Sequence, residues 1–105
     1  MIRKVYTLDE IKQIIAPIAK RYSIDRIYLF GSYARGDADE GSDIDLCIDA
    51  VAIKGMFALG ELYTDLEDAF GKNLDLITLR SLKYNNDNSF KTNLEKEQVL
   101  IYEAA

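Results

Sequence analysis

Residues 43–50, DIDLCIDA, alternate in a way that admits few folds. Ile44, Leu46 and Ile48 fall on one side of an extended chain, and Asp43, Asp45 and Cys47 on the other, as the two-residue period of a strand requires. Such a strand buries its apolar side, so the two carboxylates at its start are carried to the margin of the core. Asp37, Asp39 and Glu40 stand just ahead, making five carboxylates between residues 37 and 45. Like charges at that density need a reason. So does the Gly31-Ser32 pair that precedes them.

The rest of the chain is read around that strand. Thr7 and Glu10 form a capping-box pattern that starts a helix at Leu8. Leu8, Ile11, Ile15, Ile18 and Tyr22 then recur at helical spacing, and Pro17 is expected to kink that helix by removing a backbone donor. DRIYLFG is a short β-rich run with apolar residues on both faces, ended by Gly31, and YARG after Ser32 reads as a short helix. From Met56 to Phe70, the residues Leu59, Leu62, Tyr63, Leu66, Ala69 and Phe70 make a helical stripe with Gly71 as its cap. NLDLITL is a third strand, interrupted by Asp75. A helix carrying Phe90 and Leu94 inward is expected within residues 85–98, followed by VLIY as a closing strand. The expectation is an α+β fold with a mixed sheet covered by helices, in a single domain spanning residues 1–105.

That order brings the carboxylates together. If the first two strands pair antiparallel, Ser32 comes beside Asp43 and Asp45. The helix from 56 to 70 is long enough for a crossover, which makes the third strand parallel to the second and lands Asp75 beside the same two residues. Two unit charges ~4 Å apart repel by about 4 kcal/mol even at an effective dielectric of 20. A domain whose whole stability is ~5–15 kcal/mol needs that repulsion relieved by a proton, a salt bridge or a divalent metal.

Oxygen donors without His or Cys select Mg²⁺ or Mn²⁺. Carboxylates two residues apart on a strand, ~6.6 Å along its axis, can bracket two ions ~3.5–4 Å apart, the spacing of two-metal phosphoryl chemistry. Gly31 then allows a phosphate close to the backbone, and Ser32 offers a hydroxyl with free amides, together holding the β and γ phosphates. Arg35 reaches either a phosphate or an acidic neighbour.

Composition removes competitors. With no His among 105 residues, His-based triads and imidazole bases are excluded, and the single Cys47 cannot form an internal disulfide. Cys47 reads as a small buried residue, and a lone thiol fits a reducing cytoplasm. A calcium loop started at Asp37 would put Ser42 and Ile48 at its sixth and twelfth positions, and one started at Asp39 would put Ile44 and Ala50 there. Gly and Glu are required, so that reading fails. The net charge of −5 and scattered Lys and Arg argue against direct grip on nucleic acid. No stretch approaches a membrane span, and MIRKVYTLDE lacks a signal-peptide core, so a cytoplasmic location is expected.

Gly31-Ser32, ten residues, then Asp43-x-Asp45, with Asp75 in a later strand, resembles the signature of the polymerase-beta-type nucleotidyltransferase superfamily. The GSYARG and SDIDL wording and the terminal VLIYE are similar to its minimal nucleotidyltransferases, and more narrowly to the MntA-type antitoxins paired with HEPN-domain toxins. The resemblance covers about residues 8–103. It implies a mixed sheet and Mg²⁺-ATP as substrate. It also implies transfer of AMP to a tyrosine of the HEPN-type toxin, with which the chain would form a hetero-oligomer. On that reading Asp43 and Asp45 ligate both metals, while Asp75 ligates one and draws the proton from the incoming hydroxyl; Gly31, Ser32 and Arg35 bind the nucleotide. Two other readings are an antitoxin that silences its partner by binding alone and a small-molecule nucleotidyltransferase. The second of these usually carries an added acceptor domain, for which this chain has no room.

Overall fold

Thr7 starts the first helix as its sequence suggests. Its hydroxyl accepts from the Glu10 amide at 3.1 Å, and the Glu10 carboxylate accepts from the Thr7 amide at 3.0 Å. The helix, α1, runs Leu8–Arg21 and continues through Pro17. Asp9 and Glu10 in its first turn, and Lys20 and Arg21 in its last, complement the helix dipole. The structure, a computed structural model, describes residues 5–78 and 98–104.

Strand β1 is Arg26–Phe30, and the chain enters the one-turn helix α2, Gly31–Arg35, without a loop. Strand β2, Ile44–Asp49, follows, then α3, Gly55–Phe70, β3, Leu74–Thr78, and β4, Val99–Glu103. The sheet has the order β3-β2-β1-β4. Strand β1 is antiparallel to β2 and to β4, whereas β2 and β3 are parallel, joined through α3. The mixed sheet is therefore the one expected. The helix expected within 85–98 lies outside the described residues but for Gln98, as does Leu79 at the end of the third strand.

Helices α1 and α3 touch each other as well as the sheet. Ile11, Ile15 and Ile18 from α1 and Leu62, Leu66 and Phe70 from α3 share one buried cluster with Ile27, Leu29, Ile44, Leu46 and Ile48. Each such side chain contributes about 1.5–3 kcal/mol on leaving water, which fixes the face that β2 turns inward. A one-residue slip would bury its aspartates instead.

Two residues depart from the expected stripes. Leu8 is exposed, because Tyr6 fills the core at that end of α1. Tyr6 sits edge-on to Phe70 with ring centroids 5.4 Å apart, and its hydroxyl donates to the Phe70 carbonyl. It holds the position before the cap that a hydrophobic staple uses. Ala69 is also exposed, at the margin of the α3 stripe. The helix ends at Gly71, left-handed at φ 64°, whose amide donates to Glu67 O at 2.8 Å.

Candidate active site at the carboxylate edge of the sheet

The antiparallel register places Phe30, the last residue of β1, opposite Asp45. The turn into α2 therefore lies against the opening of β2. Gly31 has φ +72°, and a β-carbon added there would stand 2.2 Å from Asp45 Oδ2. Both the backbone and the space demand glycine. The close neighbour that requires it is the Asp45 carboxylate, a reason the sequence did not display.

Across the parallel ladder Asp45 is paired with Asp75, as the crossover predicts. Burial, a side-chain hydrogen bond with Asp75, and the charges of Asp75 and Asp43 push the Asp45 carboxyl up from its ordinary 3.8 to about 6, against the pull of Arg35. A like charge and partial desolvation both disfavour the ionised form. Asp43 stands just ahead of β2 and is exposed. The expected three-way convergence takes the form of a pair with a charged neighbour: among the described residues, no three acidic or thiol side chains stand together as a ready-made cation cage. The physical reason is that strand pairing holds Asp45 and Asp75, while Asp43 lies outside the ladder.

The donor chemistry nonetheless suits a hard cation. Asp45 and Asp75 offer only oxygen, and burial together with its acidic neighbours pushes the Asp45 carboxyl up to about 6. A divalent ion of the Mg²⁺ type relieves that crowding of charge.

Ser32 is half-buried in α2, and its carbonyl accepts from the Gly36 and Asp37 amides, each at 3.0 Å. Arg35 is exposed and pairs with Asp37 at 3.4 Å. It has an acidic neighbour and also acts on Asp45. Asp39 organises the turn before β2: its carboxylate accepts from the Gly41 amide at 2.9 Å and the Ser42 hydroxyl at 3.2 Å. That is turn chemistry, as expected of a loop aspartate. Cys47 is buried, and burial followed by the Asp49 charge pushes its thiol up to about 11, so it remains a neutral packing residue.

Lys72 was missed in the sequence. It follows the α3 cap and is 7% exposed. Its ammonium donates to Tyr33 Oη at 3.1 Å, Glu40 O at 3.1 Å and Ser42 O at 3.2 Å. It also lies 5.6 Å from the centre of the Tyr33 ring. A lysine between glycine and asparagine reads as a surface turn. Its only local signal is that it stands three residues before Asp75.

The profile of the family described as "Polymerase beta, Nucleotidyltransferase" matches residues 12–105. The protein adenylyltransferase MntA of Thermococcus cleftensis is 37% identical over 81 residues, covering 73% of this chain and 82% of that protein. Among solved structures, a toxin–antitoxin crystallised with AMP-PNP superposes with a TM-score of 0.71 at 25% identity, covering 89% of this chain and 73% of that one. A complex of a tri-AMPylated HEPN toxin of Shewanella oneidensis with MNT antitoxin superposes with a TM-score of 0.67 at 22% identity, covering 93% and 74%, and so shares the fold.

Proposed function

This chain belongs to the polymerase beta nucleotidyltransferase family and is a nucleotidyltransferase, and we propose that it transfers AMP from ATP to a tyrosine hydroxyl of a partner HEPN-type toxin, acting as its antitoxin in the cytoplasm. The observation that carries this reading is the Asp45–Asp75 pair, set in register on adjacent strands with Gly31 against it. Two carboxyls held in register on adjacent strands, with the Asp45 carboxyl pushed up by burial and by its acidic neighbours, suit a site that a cation completes. The protein-adenylylating name of the Thermococcus relative supports AMP as the group moved.

Asp43, Asp45 and Asp75 would hold two divalent ions, Mg²⁺ or Mn²⁺. When bound, these ions neutralise the triphosphate and lower the pKa of the acceptor hydroxyl, so that no imidazole base is needed. Asp75 takes the hydroxyl proton. The acceptor oxygen then forms its bond to the α-phosphorus while the bond to the bridging oxygen breaks and pyrophosphate leaves. Gly31, Ser32 and Arg35 bind and orient the phosphates. The acidic surface of this chain draws in a partner with a basic, RNA-binding face, and AMP on that face adds bulk and negative charge where RNA phosphates must lie.

The test is to incubate the chain with its partner toxin and Mg²⁺-ATP and to measure the partner's intact mass. One or more AMP increments, absent with Asp43→Ala and with chelator, are expected. If Asp43→Ala still silences the toxin fully, with no mass change in either reaction, inhibition is by binding alone.

A further inference from the structure

Asp43 is exposed and outside the strand ladder, yet the site needs it beside Asp45. The loop that presents it, residues 36–43, begins at the left-handed Gly36 and leads into β2 at Ile44. Its internal bonds, around Asp39 and Ser42, shape the turn without tying it to the sheet. The described hydrogen bonds that anchor its far end come from Lys72, through the carbonyls of Glu40 and Ser42.

The same ammonium donates to Tyr33 in α2, the residue after Ser32. Lys72 itself belongs to the connection from Gly71 to β3, where Asn73 O accepts from the Ile44 amide at 3.3 Å and Asp75 stands three residues on. One buried cation thus joins the three segments that carry Ser32, Asp43 and Asp75. All three acceptors are neutral. Among the described residues no carboxylate pairs with this lysine, so each of its hydrogens needs another acceptor, and each has one.

We propose that Lys72 is a positioning residue for nucleotidyl transfer: its ammonium clamps the loop 40–42 and Tyr33 onto the start of β3, and so sets Asp43 and Ser32 relative to the Asp45–Asp75 pair. It does not touch the reacting groups. The inference rests on nucleotidyl transfer at this edge of the sheet and not on the identity of the acceptor. The electrostatic contribution is secondary, since the effect works through placement; misplacing a reacting group by about 1 Å is enough to lower a rate ~10²-fold.

The experiment compares wild type, Lys72→Met, Tyr33→Phe and the core variant Leu66→Ala, each below its unfolding temperature. Two readings are taken. One is the Mg²⁺ concentration giving half-maximal transfer, together with kcat and KM for ATP. The other is amide hydrogen exchange at residues 39–44 in metal-free protein, with α1 as reference. Lys72→Met should exchange faster at 39–44 but not in α1, require about tenfold more Mg²⁺, and lose about 10²-fold in kcat with a smaller change in KM. Tyr33→Phe, which removes a single acceptor and keeps the ring, should move the same quantities in the same direction by a few-fold; it decides the matter if Lys72→Met does not fold. Leu66→Ala should lower stability and leave the Mg²⁺ requirement unchanged.

Wild-type Mg²⁺ dependence and exchange in Lys72→Met would overturn the proposal, as would an equal Mg²⁺ shift in Leu66→Ala, which would mean that loss of stability alone suffices. A wild-type protein that neither binds nor turns over Mg²⁺-ATP would instead overturn the function assigned to the site.

Discussion

Two ionisable side chains withdrawn from water, Lys72 just ahead of β3 and Asp45 in β2, are treated in opposite ways. Lys72 is buried deeper than Asp45, yet each of its protons meets a neutral acceptor within 3.2 Å. Asp45 is only half-buried, yet burial, then Asp75 and Asp43 beside it, push its carboxyl up to about 6. Burial alone does not separate the two. The difference lies in whether the protein itself supplies the complement of the charge. Where it does, as around Lys72, the charge serves as a tether. Where it does not, as between Asp45 and Asp75, the proposed function has a bound cation supply it.

The comparison can be broken most forcefully at Asp45. Replacing it with asparagine keeps the shape and removes a charge on which the proposed transfer depends, so turnover should fall by about 10²–10⁴-fold, roughly 3–5 kcal/mol of transition-state stabilisation. Incorporation of labelled AMP measures this. Metal-free Asp45→Asn should be no less stable than wild type by urea denaturation, because the repulsion is gone. A large loss of apo stability would mean that Asp45 has a hidden counter-charge, like a buried half of a salt bridge.

Gly31→Ala tests the fit around the carboxylate. The left-handed backbone opposes any side chain by about 1–2 kcal/mol, and the new methyl would collide with Asp45 Oδ2. A lowered urea midpoint together with weakened Mg²⁺-ATP binding is expected, the second because Asp45 must move. Unchanged binding by calorimetry would show that the Asp45 side chain can swing aside freely.

The smallest effect is that of pH on the metal-free protein. Folding raises the Asp45 carboxyl from 3.8 to about 6, so the native state binds the proton more tightly than the unfolded chain. Stability linked to this group is therefore fully present below about pH 4 and is lost as pH rises through about 6, the reverse of a salt-bridged aspartate. Solvent screening at a half-exposed site holds the change to about 1 kcal/mol or less. Wild type minus Asp45→Asn, followed by urea midpoints from pH 4 to pH 7, isolates it. A difference that grew in the opposite direction would mean that Asp45 is held ionised. Saturating Mg²⁺ should flatten or invert the slope.

Much of this protein is written in short-range patterns. The Thr7–Glu10 cap, the α1 and α3 stripes and the Gly71 stop are local chemistry, and the alternation from Asp43 to Cys47 specifies which side of β2 turns inward. Even the meeting of Asp45 with Asp75 follows from sequence. A strand, a helix long enough to cross over and a second strand leave few registers that bury Ile44, Leu46 and Leu74 together. What only the tertiary structure decided is what surrounds those residues. Leu8 is displaced from the core by Tyr6, Gly31 is required by a carboxylate fourteen positions away, and Lys72 is buried among backbone carbonyls. The reason is common to all three. Side-chain type records a preference for water or core, but which carbonyls and which side chains become neighbours is decided only when the sheet and helices bring separate segments together.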